Sequence, residues 1–410
     1  MFFPLSDILS FLVINTLFLS SSCICKKVDN KTIKIVIDGE KFDYPTNAIP
    51  VIVLACNRVT VSICLDSLIK YRPSIARFPI IVSQDGDHQE TTKVIQSYQN
   101  EIHFMKQILL PSEEKKEYKG YYKIARHYKW ILNKVFTEFK FNTAIIIEDD
   151  LEIAPDLFEY FLGTYPLLIR DPTLWCISAW NDNGKSNLID TNSPELLYRT
   201  DFFPGLGWML TRELWFELSP KWPTIYWDDW MRHPQTRKDR ACIRPEVSRT
   251  KTFGLNGVSE GLFYDEYLKY IHLNDKFIQF TKLNLTYLLR ENYEIEYVEK
   301  VLSLPTVTLS ELKMNTIQQK DAVRIVYDTK DKFLKIAHFI GLMEDIRYGM
   351  PRTAYKGIGS VFYKSRRVFL TPSSIWSAYD LTWTNRSSCH IFSDVGVTRL
   401  FILILFILVC

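Results

Sequence analysis

At 410 residues and 47% hydrophobic content, the chain can bury a substantial core and is long enough for two domains. Its 50 basic and 47 acidic residues leave a formal charge of +3 with no basic tract. That argues against nucleic-acid binding, which needs a concentrated basic surface. Eight cysteines suit a compartment where disulfides form but are too sparse for a disulfide scaffold.

The chain opens on an apolar stretch, Ile8–Leu19, that stays nearly apolar to Cys25 and then meets Lys26-Lys27. Residues 1–25 read as a signal peptide or a short signal-anchor, which would send the rest into the secretory pathway. A buried helix is the plainer alternative. A short polar stem, 26–46, follows. Ile49–Ala55 is expected to be a buried strand, and Val61, Cys64, Leu65 and Leu68 carry helical spacing up to the stop at Pro73. A second strand, Phe78–Ser83, runs into the acidic turn Gln84–Asp87. Thr91–Tyr98 reads as a helix and Phe104–Leu109 as a third strand. Tyr118–Phe136 is a longer helix, with Tyr122, Ala125, Lys129 and Leu132 spaced along it by three and four.

Ala144–Ile147 is short, apolar and β-branched, and ends on three acids, Glu148-Asp149-Asp150. The alternation of strand and helix predicts an α/β fold with a mostly parallel sheet and helices on both faces. From Ser178 the chain turns loop-rich and aromatic, with Asp201–Trp208 and Ile225–Trp230 expected as pocket walls. Ser259–Leu273 is expected to form a lid or a helix. Beyond Arg290 a smaller region begins, with strands at Val323–Tyr327 and Val361–Tyr363. The C-terminus ends on Leu400–Cys410, eleven uncharged apolar residues. At about 1.5 Å per residue these span roughly 16 Å, short of a bilayer core of about 30 Å. Asn30, Asn284 and Asn385 each begin an Asn-Xaa-Ser/Thr acceptor triplet.

Three predicted strands end in polar groups: Arg58, Asp85 and the Glu148–Asp150 triplet. If those strands are parallel neighbours, the groups converge on one edge, where α/β folds bind ligands. Clustered carboxylates repel, and oxygen ligands favour Mg²⁺ or Mn²⁺; the competing reading is an exposed acidic turn opening the next helix. Arg58 suits a phosphate, or a surface salt bridge. Asp85 suits a base or ribose contact, or a helix cap. His127 either meets a ligand or satisfies itself in packing. No G-x-G-x-x-G or G-x-x-x-x-G-K-[ST] loop is present, which counts against a dinucleotide oxidoreductase. The sequence also lacks H-E-x-x-H, leaving zinc hydrolysis without a motif. Within Trp227-Asp228-Asp229-Trp230, a carboxylate among indoles is expected to gain proton affinity and act as a general base. A turn folding both indoles into the core is the alternative.

From about Ile49 to Thr384 these stretches together resemble the animal N-acetylglucosaminyltransferase I family. The resemblance is carried by IPVIVLACNR (49–58), RPSIARFPIIVSQDGDH (72–88), GYYKIARHYKW (120–130) and AIIIEDDLEIAPDLFEYF (144–161). LWCISAWNDNGK (174–185), LYRTDFFPGLGWMLTRELW (197–215), WDDWMR (227–232), RACIRPEVSRTKTFG (240–254) and GVSEGLF (257–263) continue it. It implies a nucleotide-sugar GT-A fold at 47–254, an active-site loop and linker at 255–290, a smaller domain at 291–384 and an atypical tail at 385–410.

By the same resemblance the chain is a Golgi enzyme, a single-pass type II membrane protein with a luminal catalytic region. It would use UDP-N-acetylglucosamine and Mn²⁺, and invert the donor linkage onto the 2-hydroxyl of the α1,3-arm mannose of Man5GlcNAc2 N-glycans. Asp150 matches the metal ligand, Asp149 the ribose-side acid and Glu148 a donor-sugar contact. Arg58 matches the diphosphate contact, and Asp85 and His127 groups around uracil. Asp228 matches the base, Trp227 and Leu206 walls near the donor sugar, and Gly257, Val258 and Ser259 a loop over UDP. A Cys176–Cys242 disulfide is implied as well. Cys56, however, lacks its usual partner because Gly86 stands there, and Asn57 replaces the family's aspartate. The alternatives are a β1,2-N-acetylglucosaminyltransferase acting on O-linked mannose, and a non-catalytic Golgi carbohydrate-binding protein.

Overall fold

Runs of apolar, β-branched residues with no alternation belong to strands covered on both faces, and three such runs build the centre of this protein. The computed structural model describes residues 32–37, 39–107, 118–255, 257–258, 261, 263–317, 322–373 and 376–384. The proposed N-terminal anchor (1–25) and the apolar tail (385–410) lie outside the described residues. Among those described, no helix is long and apolar enough to cross a membrane. The chain divides into Met1–Thr32 and Ile33–Cys410, and nearly every described residue belongs to the second unit.

In chain order the described elements begin with β1 (Thr32–Ile37) and β2 (Glu40–Pro45), a two-stranded sheet. Then come β3 (Val51–Ala55), α1 (Val61–Tyr71), β4 (Ile80–Asp85), α2 (Gln89–Gln96) and β5 (His103–Gln107). These are followed by α3 (Lys119–Asn133), β6 (Thr143–Glu148), β7 (Leu151–Ile153), α4 (Leu157–Arg170) and β8 (Leu174–Ser178). β9 (Leu197–Thr200), β10 (Trp208–Thr211), α5 (Arg212–Leu218), α6 (Trp227–Arg232), β11 (Ala241–Pro245) and β12 (Thr250–Thr252) complete this part.

The central sheet has eight strands in the order β5-β4-β3-β6-β10-β8-β11-β9. β3 pairs in parallel with both β4 and β6, and β4 with β5, whereas β10 and β9 run antiparallel to their neighbours. The expected mostly parallel α/β sheet is therefore what forms.

Successive residues of β3 supply opposite faces. Val51, Val53 and Ala55 join α1, α2 and α4 in one apolar cluster, and Ile52 and Leu54 join α3 and α5 in the other. Helix spacing follows the same burial: α1 buries Val61, Cys64, Leu65 and Leu68, as read from the sequence. α3 stops earlier than expected, at Asn133, where a π-turn over Lys134–Glu138 takes over. A disulfide joins Cys176 to Cys242, which face each other in register on β8 and β11. Cys56 and Cys64 are free thiols, and Cys64 is buried.

A second sheet lies further along, formed by β13 (Thr306–Val307), β14 (Val323–Tyr327), β15 (Gly359–Tyr363) and β16 (Arg366–Pro372) in the order β13-β14-β16-β15. With a helix over Lys330–Ile340 it surrounds its own apolar cluster. Polar ties hold it to the central sheet: Phe362 N donates to Leu188 O (2.8 Å), and Arg367 pairs with buried Glu246 (2.7 Å). Met343 N donates to Asn183 Oδ1 (2.9 Å) and Lys356 N to Asp201 Oδ2 (2.7 Å).

Candidate active site

Because β3, β4 and β6 run in parallel, their carboxyl ends meet, with Leu54 opposite Glu148 and Ala55 opposite Gln84. Asp149 extends the ladder one step, donating its N–H to Leu54 O (3.0 Å). Its carboxylate then accepts from Cys56 N (3.2 Å). Arg58, three residues past β3, lays Nη1 2.6 Å from Asp149 Oδ1 and 3.0 Å from Asp150 Oδ2. Asp85 closes β4 and is buried. Burial raises the Cys56 thiol, and the charges of Asp85 and then Asp149 raise it further, so the two acids flank one spot. Arg58, Asp85 and the triplet are thus brought to one edge.

The triplet is not an exposed turn, because Glu148 is half-buried and both aspartates are buried. Asp149 and Asp150 are 4% and 8% exposed. Burial pushes the Asp149 carboxyl up to about 6 against the pull of Arg58. Burial likewise raises Glu148, helped by the Asp150 charge, and raises Asp150 although Arg58 opposes it. Gathered, desolvated carboxylates of this kind favour a positive partner. Asp150 Oδ1 is buried without a hydrogen-bond partner among the described residues. No set of three or more His, Cys, Asp or Glu placed to hold a metal occurs among those residues. The donor set therefore fits a hard cation held by Asp150, with the remaining positions left to ligand oxygens and water.

His127, on α3, is 4% exposed, and its Nε2 lies 2.6 Å from Ser83 Oγ on β4. Burial pushes the imidazole down to about 3, so it is neutral. One ring nitrogen is thus taken up by packing. The next residue, Tyr128, was not singled out by sequence reasoning, yet it donates its hydroxyl to Glu148 Oε1 (2.7 Å). Its ring also lies 4.1 Å from that of Trp227. It joins the acid triplet on β6 to α6, and its only signal in the sequence is adjacency to His127.

Trp227 is 7% exposed and nearly parallel to Trp208 (16°) and Trp222 (15°). The two expected pocket walls are in large part core: Phe203 packs edge-on against Trp175, Trp208 and Trp227. Asp201 accepts from Lys356 N and the Tyr379 hydroxyl. Only Leu206 of that stretch is half-buried, held at positive φ (49°) between Gly205 (69°) and Gly207 (90°). A β-carbon on Gly207 would fall 2.6 Å from Thr250 Cγ2, which explains glycine there.

The expectation that indole surroundings raise the proton affinity of Asp228 is overturned. Burial does push its carboxyl up, but Arg232, one helical turn on with Nη1 2.7 Å from Asp228 Oδ2, outweighs it and the net shift is downward. The side chain remains 46% exposed. Neighbouring Asp229 points elsewhere, is buried, accepts from the Tyr348 hydroxyl (3.2 Å), and is the one held above the usual carboxylate range by burial. Arg232 was also missed; it anchors on Phe203 O (3.1 Å) and so fixes where Asp228 sits.

Beyond β12 the chain returns over the triplet. Phe253 N donates to Asp150 O (3.0 Å), and Gly254 passes so close that a β-carbon there would lie 2.0 Å from Asp150 Oδ2. Gly257 and Val258 are exposed. A β-carbon on Gly257 would meet Arg58 Nη2 at 2.8 Å, and one on Gly120 would meet Val258 Cγ2 at 2.7 Å. Ser259, expected in the same loop, lies outside the described residues. No α-helix forms in the described part of Ser259–Leu273, which has only a 3₁₀ turn at Leu268–Tyr270.

An acid triplet with two buried aspartates, an arginine clamp and a returning glycine loop are set by residues 58 to 258, and residues 26–383 match the model of the GNT-I family. This chain belongs to the GNT-I family. A relative from Arabidopsis thaliana named alpha-1,3-mannosyl-glycoprotein 2-beta-N-acetylglucosaminyltransferase is 42% identical over 334 residues, 79% of this chain and 74% of that one. Among solved structures, a mannosyltransferase from Pyrobaculum calidifontis in complex with GDP-Man and Mn²⁺ aligns at TM-score 0.29 and 14% identity. That alignment covers 41% of this GNT-I chain and 46% of the other. Glucosyl-3-phosphoglycerate synthase from Mycobacterium tuberculosis aligns at 0.29 and 17%, over 42% and 59%. Likenesses this partial add nothing to the strand order described above.

Proposed function

We propose that this GNT-I family member transfers N-acetylglucosamine from UDP-N-acetylglucosamine to the 2-hydroxyl of the α1,3-arm mannose of Man5GlcNAc2 N-glycans, with inversion to a β1,2 linkage. The observation that carries this is the buried Asp149–Arg58–Asp150 cluster at the parallel strand ends, in a chain that is 42% identical to a relative named for that reaction. Arg58 is placed to turn from the two carboxylates to a diphosphate, offering its fork of donors. Glu148, held by Tyr128, would meet the donor sugar, Asp149 the ribose, and Asp85 and His127 the uracil. Leu206 and Trp227 border the sugar, and the loop through Gly257, Val258 and Ser259 covers the nucleotide.

Asp228, oriented by Arg232, takes the proton of the mannose 2-hydroxyl as that oxygen attacks the anomeric carbon from the face opposite UDP. One displacement inverts the linkage, so no covalent enzyme intermediate is required. A divalent cation, Mn²⁺ in this proposal, would be held by Asp150 and would neutralise charge on the departing diphosphate. The low proton affinity of Asp228 keeps it ionised, and therefore competent as a base, throughout the neutral range.

A Golgi location, with a single N-terminal membrane anchor and a luminal catalytic region, belongs to the same proposal. The Cys176–Cys242 disulfide supports an oxidising compartment.

The test is transfer by the purified full chain, supplied with UDP-N-acetylglucosamine and Mn²⁺, to Man5GlcNAc2 glycan and separately to an O-mannosyl peptide. A β1,2-linked product on the glycan is expected. Folded protein that acts on neither acceptor would refute the enzymatic reading, and preference for the peptide would move the acceptor to O-linked mannose. Asp228→Asn should bind UDP normally while turnover falls by about 10²- to 10⁴-fold.

A further inference from the structure

The triplet Asn284-Leu285-Thr286 takes no part in the proposed reaction, and its surroundings divide sharply by side chain. Leu285 is 6% exposed and Leu288 fully buried, both in the apolar cluster that includes Tyr160 and Phe161 of α4. Tyr287 reaches the backbone of β9, its hydroxyl 3.1 Å from Leu197 N. Asn292 Nδ2 braces the turn from below by donating to Thr286 O (2.9 Å). Asn284 and Thr286, beside these anchors, are exposed, as is the preceding Leu283. Asn284 Oδ1 accepts from Thr286 N (3.1 Å) and from Thr286 Oγ1 (2.7 Å). Its Nδ2 has no protein hydrogen bond among the described residues.

We propose that Asn284 carries an N-linked oligosaccharide. A glycan survives folding only where the asparagine amide nitrogen faces solvent on a surface turn, and the buried Leu285 and Leu288 that follow Asn284 leave it in that position without straining the core. The hydroxyl of Thr286 polarises the Asn284 carbonyl and holds the amide plane, and so accounts for the threonine at the second following position. The donor class is a lipid-pyrophosphate-linked oligosaccharide. Asn284 Nδ2 bonds to the anomeric carbon, the anomeric C–O bond to pyrophosphate breaks, and its electron pair leaves with the lipid pyrophosphate. One amide proton passes to base, and nothing is oxidised or reduced. Asn30 and Asn385, the other acceptor triplets, lie outside the described residues. The inference rests on the luminal placement proposed above, for which the disulfide is an independent marker.

The experiment is peptide mass spectrometry on the full chain expressed in a secretory eukaryotic cell. It is treated with peptide N-glycosidase in ¹⁸O-water, and Cys176 and Cys242 are read in the same digest. Wild type should show Asn284 converted to ¹⁸O-labelled aspartate. Thr286→Ser should keep the label and Thr286→Ala should lose it. Unlabelled Asn284 in molecules that hold the Cys176–Cys242 disulfide overturns the inference and leaves the luminal placement standing. Unlabelled Asn284 with both cysteines reduced overturns the two together. A label that persists in Thr286→Ala overturns the role given to the hydroxyl.

Discussion

At the scale of single residues, neighbours rather than residue types decide which group is charged. Asp228 and Asp229 are adjacent and chemically identical, yet Arg232 holds the first below the usual carboxylate range and burial lifts the second above it. His127 shows the same control in a form that stability measurements can read. Its imidazole is pushed to about 3 in the fold, against about 6.5 in an unfolded chain. As pH falls below about 6.5 the unfolded state takes up the proton first, so this residue costs stability progressively until about pH 3. From neutral pH to pH 5 the cost is about 2 kcal/mol. Denaturant unfolding of His127→Gln should therefore lose about 2 kcal/mol less than wild type over that interval. An identical loss in both proteins would contradict a neutral buried histidine.

At the scale of elements, the site depends on one strand pairing. β7 and β12 pair antiparallel, Leu151 opposite Thr252, and this brings the following glycine over the acid triplet. At Gly254 the approach leaves no room for a side chain beside Asp150 Oδ2. Gly254→Ala should keep the fold, because the conflict is with one carboxylate, but should force that carboxylate out of place. Calorimetric titration is expected to show Mn²⁺-dependent UDP affinity reduced at least about tenfold, an effect of order 1.4 kcal/mol. Unchanged affinity would contradict the proposed role of Asp150 in holding a cation. This dependence was not legible in the strand pattern. Strand periodicity marks where β6 ends, but says nothing about which later segment returns to cover that end.

Across the whole molecule, β8 and β11 are 66 residues apart in sequence and adjacent in the sheet, and the Cys176–Cys242 disulfide closes that loop. Replacing both cysteines with serine should lower unfolding free energy by about 2–4 kcal/mol, with donor affinity unchanged because neither sulfur touches the strand-end acids. A denaturation midpoint equal to wild type would make the bond incidental. The smaller sheet is tied to the central one through buried ions such as Glu246, and these contacts depend on residues more than a hundred positions apart. By itself the sequence determined the strand–helix alternation, the acid-ended strand 144–150 and, through long ordered stretches from 49 to 263, the family. Those are properties of local patterning and of residue order, which survive without coordinates. Only the tertiary structure decided that Tyr128 bridges Glu148 and Trp227, that Arg232 rather than the indoles sets the charge of Asp228, and that Gly254 crowds Asp150. The physical reason is common to all three. Charge and contact depend on distance through space, which chain spacing does not specify once strands cross over.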